Sequence, residues 1–250
     1  MLDWEILQWI VLIVAGYLAG VLNSIAGGGS FLTFPALVWA GVPPIMANAT
    51  SAVAVLPGYL GGALGFRQEL RQLTRRQHLQ MSVVGLVGGL LGGALLLVTP
   101  AELFSQVVPV LLLLATLMFA FGQTLLARIR RSNQPVALLP GLFVVAVYGG
   151  YFNGGLGIML LAMFAAAGMT NMLLMNGLKN WISFIISLIS VLAFAVAGKV
   201  LWAEALVMML AATLGGYQGA HLSRILPAVW VKRFVVLVGL VMTLVFLLRS

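Results

Sequence analysis

Of the 250 residues, 62% are hydrophobic and 7% are charged, against roughly 45–50% and about 25% in soluble domains, so the chain is built for lipid. Its net charge of +8 does not argue for nucleic acid, because the basic residues fall mainly in short connections between apolar runs, where they act as topology signals. The absence of cysteine excludes disulfides, thiolate metal sites and cysteine nucleophiles.

The first apolar run, from about Leu7 to Ala26, follows Asp3 and Glu5 rather than a basic leader, so it is expected to stay as the first span. It ends in Asn23-Ser24-Ile25-Ala26-Gly27-Gly28-Gly29-Ser30. A short apolar piece, Ser30 to Val42, follows; at about 1.5 Å per residue it reaches roughly 20 Å, less than the ~30 Å hydrocarbon core. Pro43 and Pro44 stop it, and the chain resumes through Asn48, Thr50 and Ser51 to Phe66. The segment Arg67 to Gln80, with Arg71, Arg75 and Arg76, is expected in the cytoplasm. Spans Met81 to Val98 and Val107 to Ala127 flank a turn carrying Pro100 and Glu102, and Arg128, Arg130 and Arg131 mark the next cytoplasmic loop.

The second half repeats this plan. A span from about Val136 to Tyr151 ends in Asn153-Gly154-Gly155-Leu156-Gly157, a short piece runs Ile158 to Gly168, and a long span holds Asn176, Lys179 and Asn180. Spans Ala203 to Leu222 and Val231 to Leu248 flank a loop with Arg224, Lys232 and Arg233. One constant offset sets Gly29 on Gly157, Asn48 on Asn176 and Ala49 on Gly177; an offset one residue shorter sets Gly88, Gly89, Gly92 and Pro100 on Gly215, Gly216, Gly219 and Pro227. The Pro100 turn is acidic and the Pro227 turn is basic, so equivalent turns face opposite sides. The expected fold is therefore an all-α polytopic membrane protein of two inverted repeats, residues 1–127 and 128–250. Each has about five helical segments, including a short helix broken at a glycine cluster, and the N-terminus is outside.

A helix broken at membrane depth survives only where protein or a water-filled cavity satisfies its backbone. Gly27, Gly28 and Gly29 leave N–H groups unshielded, and a helix starting at Ser30 would aim its positive end at the break. Gly154, Gly155 and Gly157 would do the same for a helix starting at Ile158, and two facing N-termini make an anion cradle. The plainer alternative is that these glycines only let helices pack closely, which suffices for Gly85, Gly88, Gly89, Gly92 and Gly93. Lys179 lies deep in its span with every carboxylate in a terminus or loop, so it calls for an anionic ligand, deprotonation, or a reach to the interface or to backbone carbonyls. Asn23, Asn48, Asn153, Asn176 and Asn180 can supply amide donors, and Thr50 and Ser51 hydroxyls; each serves equally as interhelical glue. Tyr148, Tyr151, Tyr217, Gln218 and His221 are weaker candidates, His221 being expected as the histidine that lies within a span.

Enzyme and cofactor motifs are missing. There is no HExxH, no GxxxxGK[ST] and no paired intramembrane carboxylate; no metal or cofactor is expected. Gly28-Gly29-Ser30 is no nucleophile elbow, since no glycine follows at the needed spacing.

The run Gly20 to Pro35, then Gly41, then Ala47-Asn48-Ala49-Thr50-Ser51, resembles the opening signature of the TauE/SafE family, also called the toluene sulfonate uptake permeases, and the regions of Gly154 and Asn176 to Asn180 match its repeat. The resemblance implies transport of sulfite, sulfonates or related organic anions across the bacterial cytoplasmic membrane without ATP hydrolysis. It carries the glycine and Asn/Thr/Ser positions into the site, while Lys179 rests on the physical argument, since Leu178-Lys179 stand where the first half has Thr50-Ser51. The expected partners are a small anion and the bilayer, with no nucleic acid.

Overall fold

The computed structural model describes residues 2–25, 28–131, 136–222 and 228–249. Among them the secondary structure is helical, with no strand: α1 (Leu2–Ile25), α2 (Ser30–Trp39), α3 (Pro44–Gly65), α4 (Arg67–Leu70), α5 (Arg75–Val98), α6 (Ala101–Arg131), α7 (Leu138–Tyr151), α8 (Leu156–Ala166), α9 (Met172–Val196), α10 (Trp202–Leu222) and α11 (Ala228–Arg249).

Local chemistry sets several of these ends. Pro44 takes the first position of α3, where its missing N–H costs nothing. Thr74 and Gln77 form a reciprocal capping box, so α5 begins at Arg75 rather than at Met81, and His78 falls in its first turn. His221 is thus not the sole histidine inside a helix of spanning length. The Asn171 side chain accepts from the N–H groups of Leu173 and Leu174 and opens α9. No break separates Ala127 from the basic cluster, so Arg128, Arg130 and Arg131 extend α6 instead of forming a loop, and the helix passes the expected repeat boundary. The Pro227 turn lies outside the described residues.

Among the described residues, four helices are long and apolar enough to cross a membrane, over Trp4–Asn23, Arg75–Val98, Ala101–Gly122 and Met172–Val196. At 10 and 11 residues, α2 and α8 reach only about 15–17 Å. The outer surface is apolar: Val144 is 67% exposed, Leu210 64% and Leu214 62%. Buried inside are Ser30, Thr33, Ser51, Asn153, Ser183 and Ser187. Apolar outside with polar groups within is the arrangement a hydrocarbon solvent selects.

Side-chain and backbone contacts give the helix directions. The start of α1 lies at the end of α2, where the Trp4 and Trp39 rings are 5.3 Å apart and the Gln8 amide donates to the Ala40 carbonyl at 2.9 Å. The Val136 N–H likewise donates to the Ala166 carbonyl at 2.8 Å, so the start of α7 lies at the end of α8. Each short helix therefore runs back along its predecessor. Helices α3 and α9 cross the centre antiparallel, with Gly62 against Asn180 and Phe66 and Leu70 against Gly177.

Two parallel pairs flank that centre, α1 with α10 and α5 with α7. A Cβ on Gly20 would fall 1.9 Å from the Ala212 carbonyl oxygen, and one on Gly92 would fall 2.1 Å from that of Val147. Backbones meet there, as small-residue seams allow in a membrane. The packing role expected for Gly88, Gly89 and Gly92 holds, since each touches α7 or α9 backbone.

Candidate functional site

Both breaks lie inside the bundle. Gly28 closes α1 into α2 with φ of 95°, and Gly155 opens α8 with φ of 73°, backbone angles that residues with a Cβ rarely adopt. Gly27 lies outside the described residues. Asn23 fixes the first break by accepting the Gly29 N–H at 2.7 Å. Gly157 stands one position into α8, which starts at Leu156 rather than at Ile158.

Asn153 organises the second break. Its Oδ1 accepts from the Tyr59 hydroxyl at 2.8 Å, its Nδ2 donates to Ser187 Oγ at 2.7 Å, and its carbonyl accepts from Ser30 Oγ at 3.3 Å. One asparagine thus joins α2, α3 and α9 to the turn before α8. Tyr148 donates to the Gly154 carbonyl at 2.6 Å and holds the same turn from α7. Ser51 pairs with Thr33 at 2.6 Å, which places it on the first turns of α2. Asn48 donates to the Tyr151 carbonyl at 3.0 Å and satisfies the broken end of α7.

Lys179 is the charge at this site. It is 9% exposed and no hydrogen bond or ion pair joins it to a described residue. Its stem passes over Gly157: a Cβ there would lie 3.3 Å from Lys179 Cδ. The lysine therefore crosses the first turn of α8, where the helix dipole favours negative charge; the Leu156, Ile158 and Met159 N–H groups donate to the Asn153 and Gly155 carbonyls, which leaves the Gly157 N–H as the open donor among the described residues. Among the described side chains no carboxylate sits inside the bundle, because Glu5 lies in the first turn of α1, Glu102 opens α6, Glu204 opens α10 and Glu69 lies in α4.

Other expected residues are not brought to the breaks. Thr50 Oγ1 accepts the Leu201 N–H at 3.1 Å and pins the α9–α10 connection. Asn176 donates to its own helix, to the Met172 carbonyl at 3.0 Å. Asn180 lies over Gly62 of α3, where a Cβ would meet its amide nitrogen at 2.5 Å. Tyr151 packs its ring on Phe104, and Gln218 bonds the Tyr17 hydroxyl. The side chain of His221 lies outside the described residues.

Tyr59, Thr33, Ser183 and Ser187 join the polar interior without having been singled out from the sequence. For three α9 positions a signal was available: Lys179, Ser183 and Ser187 recur every fourth residue in an apolar helix, which stacks them on one face.

An all-helical chain with spanning helices, an apolar exterior and a buried polar centre at two helix breaks belongs to the multi-pass membrane class. The family model "Sulfite exporter TauE/SafE" matches residues 12–246, and the chain belongs to that family. A "Probable membrane transporter protein" of Haemophilus influenzae is 30% identical over 237 residues, covering 93% of this chain and 92% of that one. The "Probable membrane transporter protein YfcA" of Escherichia coli strain K12 is 28% identical over 236 residues, 93% and 87% of the two chains. The "Probable membrane transporter protein ORF9" of a Sinorhizobium species is 26% identical over 235 residues, 93% and 90%. No solved structure matches the chain. Family and relatives make it a membrane transporter, which is not an enzyme class.

Proposed function

We propose that the chain is a secondary transporter of small sulfur-containing anions, sulfite or sulfonates, across the bacterial cytoplasmic membrane. The carrying observation is Lys179: a lysine only 9% exposed, without a carboxylate partner among the described residues, whose stem lies over Gly157 in the first turn of α8. A lysine in hydrocarbon costs about 2.5–3.5 kcal/mol even by insertion scales, and an anionic substrate offsets that cost. The family description supplies the sulfur chemistry. The proposed site comprises Lys179, the helix starts at Gly28 to Ser30 and Gly155 to Gly157, and Asn153, with Asn23, Asn48 and Ser51 holding the breaks in shape.

The reading includes an inverted repeat with its boundary after Arg131. Its support is exchange symmetry: α1 packs on α10 as α7 packs on α5, α10 on α3 as α5 on α9, and α2 on α11 as α8 on α6. Tyr59 and Ser187, both bonded to Asn153, stand the same number of residues past the starts of α3 and α9. The helix directions gather the Arg67 to Arg76 segment and the ends of α6 and α10 at one end of the bundle, assigned to the cytoplasm by the positive-inside rule. Both termini then face the periplasm.

The test is flux into proteoliposomes with labelled sulfite, sulfate and a small sulfonate, wild type beside Lys179→Met. A carrier saturates and shows counterflow, and the variant is inactive. Linear, non-saturating flux would make the protein an anion channel; flux unchanged in the variant would remove Lys179 from the site.

A further inference from the structure

The α9 face that carries Lys179 continues through Ser183 to Ser187. Its two ends are anchored on the second break: the Lys179 stem lies over Gly157, and Ser187 Oγ accepts from Asn153 Nδ2 at 2.7 Å. Ser183 stands midway on this face, so helical register sets it against the Asn153 to Gly157 turn. Its side chain is 0% exposed, and its Oγ is the one buried side-chain polar atom among the described residues without a hydrogen-bond partner.

That isolation is unusual for a helical serine, which ordinarily donates to the carbonyl four residues back. Ser190 does so, to Ile186 at 2.8 Å, as do Ser105, Thr116 and Thr243 on their own helices. A buried hydroxyl left unpaired is destabilising, so the position carries a penalty that alanine would avoid. The charge next to it is also unpaired. A fully buried serine and, one turn away, a lysine 9% exposed, neither with a hydrogen-bond partner among the described residues, lie beside the start of α8 and present three kinds of donor there: hydroxyl, ammonium and the Gly157 N–H. All of them donate, and a compact oxyanion is the ligand that accepts from all.

We infer that Ser183 is a substrate-binding residue: its hydroxyl donates to an oxygen of the anion held by Lys179, in one asymmetric subsite at the second break. This rests on the proposed anion-transport reading and adds a position to it. The first break has no equivalent subsite, because Ser51 stands where the second half has Lys179 and is already paired with Thr33 at 2.6 Å. Val55, buried on the same face of α3, stands where α9 has Ser183.

The experiment uses the purified full-length protein in detergent, with sulfite and sulfate as probes. It compares wild type, Ser183→Ala and Lys179→Met by binding affinity and by melting temperature with and without anion. In Ser183→Ala the sulfite Kd is expected to rise about tenfold or more, the loss of one hydrogen bond to a charged group, and the anion-induced rise in melting temperature shrinks accordingly. Without anion the same variant melts at or above the wild-type temperature, because no protein bond is lost. Lys179→Met binds neither probe. Wild-type affinity in Ser183→Ala, with binding lost in Lys179→Met, would overturn the Ser183 assignment and leave the anion reading standing. A lower melting temperature in anion-free Ser183→Ala, or failure to fold, would make the hydroxyl a structural bond and equally overturn it. Wild-type affinity in Lys179→Met, or no binding of either probe by wild type, would overturn both.

Discussion

Ser30 Oγ donates to the Asn153 carbonyl at 3.3 Å, so the first turn of α2 is fastened to the turn that opens α8. The two breaks are one joined structure, and Asn153 is its hub through Tyr59 and Ser187. Asn153→Ala would leave that hydroxyl pair without their amide partner in a buried setting. Two such losses cost about 2–5 kcal/mol together. The expected result is a clearly lowered melting temperature in detergent with transport lost, whereas Ser30→Ala, which removes a single longer bond, costs about 1 kcal/mol.

At Gly157 a Cβ would sit 3.3 Å from Lys179 Cδ, a flexible stem that can give way. Gly157→Ala is therefore expected to fold and insert normally while displacing the ammonium. Uptake kinetics should show a raised KM for the proposed anionic substrate, with little change in melting temperature. Lys179→Arg keeps the charge on a larger planar group and is expected to retain a fraction of the flux.

The backbone seams predict a sharper contrast. Gly20→Val would place a side chain against the Ala212 carbonyl, where even a Cβ falls 1.9 Å away, and only backbone movement could relieve it. A loss of about 3 kcal/mol or more follows from such overpacking, read as collapse of membrane-inserted protein. Gly61→Ala is the control, since a Cβ there meets nothing within 4 Å; it should express at wild-type level.

Sidedness can be read in a chain without cysteine. Single cysteines at Glu102 and Lys199 are expected to react with an impermeant reagent in intact cells, and one at Gln72 only after permeabilisation. Gln72 accepts from the Asn171 amide at 3.4 Å, so it lies at the start of α9 and, by the helix directions, at the end opposite Glu102. Labelling of Gln72→Cys from outside would reverse the proposed orientation.

Much of this was legible in the chain because hydrocarbon makes polar and glycine positions conspicuous. Glycine clusters located the ends of α1 and α7, and the absence of intramembrane acids singled out Lys179. The donor roles of individual side chains were harder to read, because neighbours along a helix point about 100° apart. Thr50 and Ser51 are adjacent in the signature, yet one holds the Leu201 N–H and the other meets Thr33. Asn48 and Asn176 occupy equivalent places in α3 and α9, yet one closes a broken helix end and the other bonds its own turn. Which carbonyls lack partners depends on where the breaks fall in space, and spacing alone does not encode that. Tyrosines in membrane chains concentrate at the interface, so composition gives no sign that the Tyr59 hydroxyl reaches Asn153.

The glycine seams also bear on how the protein is made. Gly20 of α1 is shaped for Ala212 of α10, roughly 190 residues later, and at about 5–20 residues per second the ribosome needs on the order of 10–40 s to deliver that partner. Until then α1 rests in the bilayer with its groove filled by lipid. Insertion and assembly are consequently separate events, and truncated chains that end before α10 would span the membrane yet remain substrates for membrane quality-control proteases.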